Sequence, residues 1–337
     1  MTKKRIFILA LWLLVGLLFG WAWRDVSFAA LSETLLRLNP FSLAILFFVN
    51  AAILLLFGSR WWLIVRALGY HIPYLALAKY RLASFGMSYF TPGPQFGGEP
   101  LQVYFLRARH NVPTETALAS VSLDKILEML ANFTFLALGI LLVVWQGLFF
   151  QDVSGMLIFV SAGMVGLLLA YLIALLMGKT PLTWTFGRLP LLKQDAPPLN
   201  KIRQTLLDAE SQTGAFCREK PLVIIQSSIL STIIWFAMLG EYALALRFFG
   251  LETSFMNVLA IIVFARLAFL TPLPGGLGAL EAGQVFAMQS LGFDPILGVS
   301  VSLFIRVRDS LFGLLGLWLG STRNPSLPLD VTQVEEI

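Results

Sequence analysis

Cysteine and histidine are nearly absent from this chain. Its 337 residues include one cysteine, Cys217, and two histidines, His71 and His110. A single cysteine excludes an intrachain disulfide, and so few soft ligands exclude a zinc cluster built from cysteine and histidine. A metal site made only of carboxylates stays open, but we expect neither a metal nor a cofactor.

Charged residues are also scarce. They make up 13% of the sequence, against roughly 25% in soluble domains. Hydrophobic residues make up 58%, and the mean hydropathy is +0.80. A chain this apolar cannot cover its surface with polar groups, so the composition predicts a protein whose solvent is the lipid bilayer.

The charge that is present is positive on balance, with a net charge of +5 and an isoelectric point near 9.4. In a soluble protein this excess would favour a nucleic-acid partner. In a membrane protein the positive-inside rule explains it, because cytoplasmic loops collect lysine and arginine. If the amino terminus is cytoplasmic, the polar loop of about residues 179–220 is also cytoplasmic. The same topology places four arginines on that side: Arg60, Arg66, Arg107 and Arg109. We predict a multi-pass protein of the inner (cytoplasmic) membrane without a nucleic-acid partner.

A helix needs about 20 apolar residues to cross the hydrocarbon core of a bilayer. Six segments approach or exceed this length: Ile6–Trp23, Phe41–Arg60, Ile126–Leu148, Met156–Gly178, Leu222–Leu246 and Pro295–Gly320. The first follows a basic stretch, as in a signal peptide, but its apolar run is longer than the usual run of about 7–15 residues. We expect it to be an uncleaved first helix.

Two further apolar regions, Leu75–Leu106 and Phe255–Leu291, are interrupted near their centres. The interruptions run from Thr91 to Glu99 and from Thr271 to Glu281, and both are rich in proline and glycine. Proline removes a backbone donor and glycine permits non-helical backbone, so neither region continues as a straight helix through lipid. We interpret each as a re-entrant hairpin, two short helices that enter and leave on the same side. Ordinary surface loops are the alternative, although both arms are very apolar for solvated loops.

The two interrupted regions resemble each other. Thr91-Pro92-x-Pro94 returns 180 residues later as Thr271-Pro272-x-Pro274, and Ser120-Val121-Ser122-Leu123 returns at the same offset as Ser300-Val301-Ser302-Leu303. With the predicted topology, the helices of the second half run opposite to those of the first, which is an inverted repeat. We predict an all-α polytopic membrane protein of about six full spans and two re-entrant hairpins. The whole of 1–337 forms one transmembrane domain, with repeat 1 at about 41–148 and repeat 2 at about 222–320.

Glutamates follow the glycines of both interruptions. Glu99 follows Gly97 and Gly98, and Glu281 follows Gly276 and Gly278. Ionisable residues inside a membrane are costly and often functional, and glycine exposes backbone N–H groups that can bind an anion at a helix start. Each glutamate alone is as well explained as a helix cap, but their symmetric placement favours a transport site.

The helix after the first interruption begins with a charged run. Asp124 and Glu128 are four residues apart and share a face of that helix, with Lys125 beside them. Arg306, Arg308 and Asp309 occupy the corresponding place in the second half. We expect ion pairs across the repeat axis, such as Glu99 or Glu281 with Arg306. Lys79, Arg81 and Arg266 lie on the hairpin arms and are candidates for a lipid phosphate or interfacial residues. For all of these charges, a purely structural ion pair is the alternative.

At these residues the sequence resembles the lysylphosphatidylglycerol synthase transmembrane-region family, a set of flippase-like bacterial and archaeal membrane proteins. The resemblance rests on Gly97-Gly98-Glu99, on Asp124-Lys125-Ile126-Leu127-Glu128 and on Pro274-Gly275-Gly276-Leu277-Gly278-Ala279-Leu280-Glu281. It covers essentially the whole chain and implies translocation of a phospholipid, or of a polyprenyl- or hopanoid-type lipid, between leaflets. Asp124-Lys125 stands where the family pattern leads us to expect Glu-Arg, and lysine lacks the bidentate fork of arginine.

One class within that family carries a fused cytoplasmic aminoacyltransferase domain. Because this sequence ends soon after Gly320, we expect no such domain and no synthesis of lysylphosphatidylglycerol.

These observations favour a lipid translocase, not an enzyme, with a membrane lipid as its substrate. The sequence contains no Gly-x-x-x-x-Gly-Lys-Ser/Thr loop, so we do not expect ATP to drive transport within this chain. A membrane enzyme acting on lipid-linked intermediates is one alternative. A scaffold that docks a lipid-modifying enzyme at the cytoplasmic face through the basic loop is another. The oligomeric state does not follow from the sequence.

Overall fold

The computed structural model describes residues 39–91, 97–145, 147, 151–188, 197–271 and 273–322. All regular secondary structure in these ranges is helical. The α-helices are α1 (Pro40–Ala67), α2 (Tyr74–Phe90), α3 (Glu99–His110), α4 (Thr114–Trp145), α5 (Gln151–Leu176), α6 (Pro181–Arg188), α7 (Pro197–Glu219), α8 (Pro221–Phe248), α9 (Phe255–Phe269), α10 (Ala279–Ser290) and α11 (Pro295–Ser321). The all-α membrane class predicted from composition is therefore the class observed.

Four of these helices are long and apolar enough to cross a membrane: α1, α4, the Gly155–Leu176 part of α5, and α8. They correspond to four of the six predicted spans. α11 has 27 residues, which is also a sufficient length, but Arg306, Arg308 and Asp309 lie near its centre. The remaining predicted span, Ile6–Trp23, lies outside the described residues.

Short polar side chains fix where several helices begin. Asn39 precedes α1, and its Oδ1 accepts a hydrogen bond from the Ser42 backbone N–H at 2.7 Å. Asp294 precedes α11, and its Oδ1 accepts from the Ile296 N–H at 2.9 Å. A proline occupies the first turn of both helices, where its missing N–H costs nothing because that group would have no helical partner.

Both interrupted regions are broken helix pairs, as the proline and glycine pattern predicted. α2 ends at Phe90 and α3 begins at Glu99, whereas α9 ends at Phe269 and α10 begins at Ala279. A short 3₁₀ turn, Pro274–Gly276, lies in the second break. The φ angles of 56° at Gly275, 64° at Gly276 and 72° at Gly278 explain why glycine occupies these positions.

The two halves meet where α2 packs against α11. This contact is built on glycine, because a Cβ at Gly86 would lie 2.3 Å from the Gly313 carbonyl oxygen. A Cβ at Gly316 would lie 2.2 Å from the Leu82 carbonyl oxygen. Small residues allow helix backbones to approach closely inside a membrane, where van der Waals packing drives association.

The predicted polar loop forms two helices, α6 and α7, of which α7 packs on α4 and α5. Glu210 of α7 is buried and holds the start of α6, since its carboxylate accepts from the Leu182 N–H at 2.7 Å and the Thr183 N–H at 2.8 Å. Cys217 lies on the buried face of α7. Burial raises the pKa of its thiol to about 11, so it remains protonated at neutral pH.

Candidate functional site

Two groups of charged side chains lie inside the helical bundle. The amino-terminal ionic cluster consists of Arg60, Arg81, Glu99, Asp124, Lys125 and Glu128. The carboxy-terminal ionic cluster consists of Glu241, Glu281, Arg306, Arg308 and Asp309. The first contains three basic and three acidic residues, and the second contains two basic and three acidic residues. Charges in such surroundings are stable only when they are paired or hydrated.

Arg60 and Asp124 are the most buried members of the amino-terminal cluster, each with 1% of its side chain exposed. Arg60 donates hydrogen bonds to three side chains. Its Nε donates to Asp124 Oδ1 at 2.7 Å, and its Nη2 donates to Glu128 Oε2 at 3.1 Å. Its Nη1 donates to Ser231 Oγ at 3.2 Å, which connects α1 with α8 of the second half. The sequence interpretation placed Arg60 among the cytoplasmic flanking charges, and the structure corrects this, because α1 continues to Ala67 and turns Arg60 inward.

Asp124 and Glu128 share one face of α4, as their spacing predicted, and they also share Arg81 of α2. Arg81 Nη1 lies 3.0 Å from Asp124 Oδ2, and Arg81 Nη2 donates to Glu128 Oε2. Arg81 is therefore held by carboxylates of its own half in this structure. The two arginines and two carboxylates together tie α1, α2 and α4 to one another.

Glu99 lies at the edge of the same cluster, at the start of α3. Its Oε1 is 2.9 Å from Lys125 Nζ, and Lys125 Nζ is also 3.3 Å from Glu128 Oε1. Glu99 Oε2 accepts from the Gly97 backbone N–H at 2.8 Å. The Gly98 N–H donates to Ser88 Oγ at 2.9 Å. In this structure the glycine N–H groups thus have acceptors within the protein, and Glu99 both caps the break and forms an ion pair.

The carboxy-terminal cluster contains the second glutamate of the repeat. Glu281 Oε1 accepts from Arg306 Nη2, and Arg306 is 1% exposed whereas Glu281 is 31% exposed. Arg308 Nη1 donates to Glu241 Oε1 at 2.5 Å, and Arg308 Nε donates to Asp309 Oδ1 at 2.9 Å. The expected pair of Glu281 with Arg306 is therefore present, but it lies within the second half, and Glu99 pairs instead with Lys125 of the first half.

The remaining predicted glycines occupy the second break. Gly276 has a positive φ, and its N–H donates to the Leu273 carbonyl oxygen at 3.0 Å. Gly278 also has a positive φ and precedes α10. These glycines therefore shape the turn before Glu281.

A glutamine follows each of the two glutamates by three residues. Gln102 and Gln284 both have side chains that are fully buried. Gln284 Nε2 donates to the Ile261 carbonyl oxygen at 3.0 Å. Neither the amide nitrogen nor the amide oxygen of Gln102 has a hydrogen-bond partner within the described residues. Gln284 and Gln102, which occupy corresponding positions after the two glutamates, therefore differ in hydrogen bonding: the side chain of Gln284 makes one hydrogen bond and that of Gln102 makes none within the described residues.

A cavity of about 900 Å³ lies beside the amino-terminal cluster. α3, α4, α5, α8 and α9 contribute its walls, so residues of both halves line it. Most lining residues are apolar, including Val103, Phe133 and Phe269. The charged residues on its walls are Glu99, Lys125 and Arg266. An apolar pocket with a few convergent polar groups is the usual form of a ligand site.

Sequence reasoning did not identify Glu241 or Trp235, which the structure places at these sites, whereas Arg266 was among the candidates for a lipid phosphate. Glu241 lies in the apolar span α8, and a carboxylate inside such a span is itself a signal of function. Trp235 and Arg266 line the cavity, but they are 31 residues apart in the sequence. Their proximity arises because α8 and α9 pack together, which no local pattern reveals.

The fold and site define a polytopic helical membrane protein with an internal, largely apolar cavity and charged groups on its wall. The chain belongs to the lysylphosphatidylglycerol synthase TM region family, whose pattern matches residues 7–316. This confirms the resemblance drawn from the three motifs.

Curated relatives of the chain come from archaea. A UPF0104 membrane protein of Methanothermobacter thermautotrophicus is 24% identical over 286 residues, covering 82% of this chain and 83% of the relative. The UPF0104 membrane protein PH1989 of Pyrococcus horikoshii is 21% identical over 320 residues, covering 90% and 92% respectively. No solved structure matches the chain.

Proposed function

We propose that this protein is a lipid translocase that moves a lipid, a phospholipid or an isoprenoid-type lipid, between the leaflets of the inner membrane. The observation that carries the proposal is the cavity of about 900 Å³. Its apolar walls suit acyl or isoprenoid chains, and the Glu99–Lys125 ion pair on its wall suits a polar headgroup.

The lengths of the broken helices support a re-entrant topology. α3 and α10 have 12 residues each, which at about 1.5 Å per residue gives about 18 Å. α9 has 15 residues and α2 has 17, and both are also shorter than the roughly 30 Å hydrocarbon core. Two such pairs in corresponding halves are typical of transporters that bind substrate near the midplane at the interface of inverted repeats.

Membership of the family supports a role in lipid handling, and the site explains how the chain would perform it. The acyl chains would lie against α4, α5 and α9, while the headgroup would approach Glu99, which is 21% exposed. Glu99 and Glu281 would bind a cationic part of the headgroup or carry protons. Energy would come from an ion gradient or from downhill movement, since the sequence has no nucleotide-binding loop.

Lipid flipping in proteoliposomes tests this proposal. Purified protein is reconstituted with lipids carrying a fluorophore on the acyl chain, and a membrane-impermeant quencher reports the outer leaflet. We expect flipping by the wild type, and loss of at least about 90% of that rate in Glu99→Gln and Glu281→Gln. This corresponds to about 1.4 kcal/mol or more in the barrier.

Glu252→Gln is the matched control, because Glu252 is exposed and lies between α8 and α9, outside both clusters and the cavity. It should flip at the wild-type rate. The absence of flipping above empty liposomes, for every lipid tested and with a pH gradient imposed, would overturn the translocase and favour an enzyme or scaffold. Retained flipping in both glutamate variants would exclude the glutamates from the mechanism.

A further inference from the structure

Arg266 differs from the arginines of the two ionic clusters in what surrounds its guanidinium group. Arg60, Arg81, Arg306 and Arg308 each contact at least one carboxylate. Arg266 instead lies over the Trp235 ring, with 4.8 Å from its Cζ to the ring centroid, and its Nη2 is 3.5 Å from Met238 Sδ. Within the described ranges no carboxylate forms an ion pair with Arg266.

The charges that line the cavity therefore do not balance. Glu99 and Lys125 compensate each other at 2.9 Å, whereas Glu241 and Asp309, the carboxylates that act electrostatically on Arg266, belong to the carboxy-terminal cluster and not to the cavity wall. A cation facing an apolar space inside a membrane protein is costly unless an anion or water neutralises it. The cavity is thus electrostatically suited to an anion.

Neighbouring rings hold Arg266 in place. Phe135 of α4 stacks on Trp235 with the ring centroids 3.9 Å apart and an interplanar angle of 12°. Trp235 in turn supports the guanidinium group of Arg266 through a cation–π contact. A guanidinium stacked on a ring keeps its N–H groups available at its edge, and this planar fork matches the oxygens of a phosphate.

From this geometry we propose that Arg266 recognises a phosphate-class anion in the cavity and makes this a site for an anionic ligand. The inference rests on the proposed function for its choice of ligand, a lipid with an anionic headgroup whose chains follow the apolar wall. Free phosphate offers the same chemistry without the chains. Comparing the two separates the anion site from the lipid site.

Equilibrium binding of tail-labelled lipids in nonionic detergent micelles tests the inference. The probes are phosphatidylglycerol and diacylglycerol, which lacks a phosphate, with the same acyl chains. We expect the wild type to prefer phosphatidylglycerol, and Arg266→Gln to weaken its binding by about tenfold or more, as for the loss of a hydrogen bond to a charged group. Arg266→Lys, which keeps the charge but not the fork, should fall between the two.

Arg66→Gln is a closely matched control. Arg66 is also an arginine above a tryptophan, 5.1 Å from the Trp62 ring centroid, but it is exposed and lies outside the cavity. Its variant should bind phosphatidylglycerol as the wild type does. Unchanged diacylglycerol binding in Arg266→Gln would show that this variant is folded. Equal loss in Arg66→Gln and Arg266→Gln would overturn the site.

Inorganic phosphate identifies the source of the anion. A lipid headgroup site predicts that millimolar phosphate neither displaces labelled phosphatidylglycerol nor stabilises the protein against heat. Stabilisation by phosphate that depends on Arg266, without preference between the two lipids, would support the anion site and overturn the lipid ligand.

The flipping assay separates the proposed anion site from the proposed translocase. Arg266-dependent binding without flipping would retain the anion site and reject translocation, whereas headgroup-independent flipping unaffected by Arg266→Gln would do the reverse.

Discussion

The amino-terminal ionic cluster shares its carboxylates, whereas the carboxy-terminal cluster divides into smaller groups. Glu128 contacts Arg60, Arg81 and Lys125. In the second half, the recorded ion pairs join Glu281 to Arg306 and Glu241 to Arg308. The first arrangement is a network that binds α1, α2, α3 and α4 together. The second leaves Glu281 beside its break with about a third of its side chain exposed, so it is the glutamate with greater freedom to meet a ligand.

One contact occurs in both halves with its charges exchanged. Arg60 on α1 pairs with Glu128 on α4, and Glu241 on α8 pairs with Arg308 on α11. Arg308 follows Glu128 by 180 residues, the offset of the predicted repeat. An ion pair thus joins α1 to α4 in the first half and α8 to α11 in the second half. The basic residue lies on α1 in the first pair and on α11 in the second. An ion pair gives the same attraction with either polarity.

The largest difference between the halves should appear when one shared carboxylate is removed. Glu128→Gln leaves three cations with less compensation, and breaking a buried pair costs about 3–5 kcal/mol. Glu241→Gln leaves Arg308 with Asp309 at 2.9 Å, so we expect a loss of about 1–3 kcal/mol. Denaturant titration in mixed micelles measures both. An equal or larger loss in Glu241→Gln would contradict the distinction between a network and separate pairs.

A smaller effect is expected at the contact that joins the halves. Gly316→Ala would place a Cβ 2.2 Å from the Leu82 carbonyl oxygen, and overpacking of this kind costs about 1–3 kcal/mol. Thermal unfolding in detergent should therefore show a lower midpoint. Gly240→Ala is the control, because no atom of another element lies within 4 Å of its added Cβ. Alanine there should be neutral or slightly stabilising, since it favours a helix more than glycine does. The same loss at both positions would show that α2–α11 packing is not specifically close.

The smallest expected effect compares the two buried glutamines. Gln284→Met removes the hydrogen bond to the Ile261 carbonyl oxygen, so stability should fall by about 1 kcal/mol. Gln102→Met removes polar atoms that have no partner within the described residues and should be neutral or stabilising. Thermal unfolding of both variants under identical conditions measures the difference. Destabilisation by Gln102→Met alone would show that Gln102 has a polar partner in the folded protein.

Several features followed from short stretches of sequence because their causes are local. The breaks between α2 and α3 and between α9 and α10 follow from proline and glycine, which act on the backbone at their own positions. The shared face of Asp124 and Glu128 follows from helical spacing. The pairing of charges was predicted less well, since Arg60 was assigned to the cytoplasmic side and not to a buried ion pair, and of the two expected partners of Arg306 only Glu281 contacts it. Partner choice depends on how helices pack, which is not a local property.

The sequence by itself determined that this is an all-helical membrane protein of the family, with two broken segments and charged residues within its apolar regions, because composition, apolar length and helix-breaking residues act without reference to distant parts of the chain. Only the tertiary structure decided which charges neutralise one another and which does not. Arg60 meets Asp124 across 64 residues of sequence, and Arg266 meets Trp235 but no described carboxylate. These contacts depend on helices that approach closely at glycines such as Gly86 and Gly316, where shape and not sequence distance selects the neighbours.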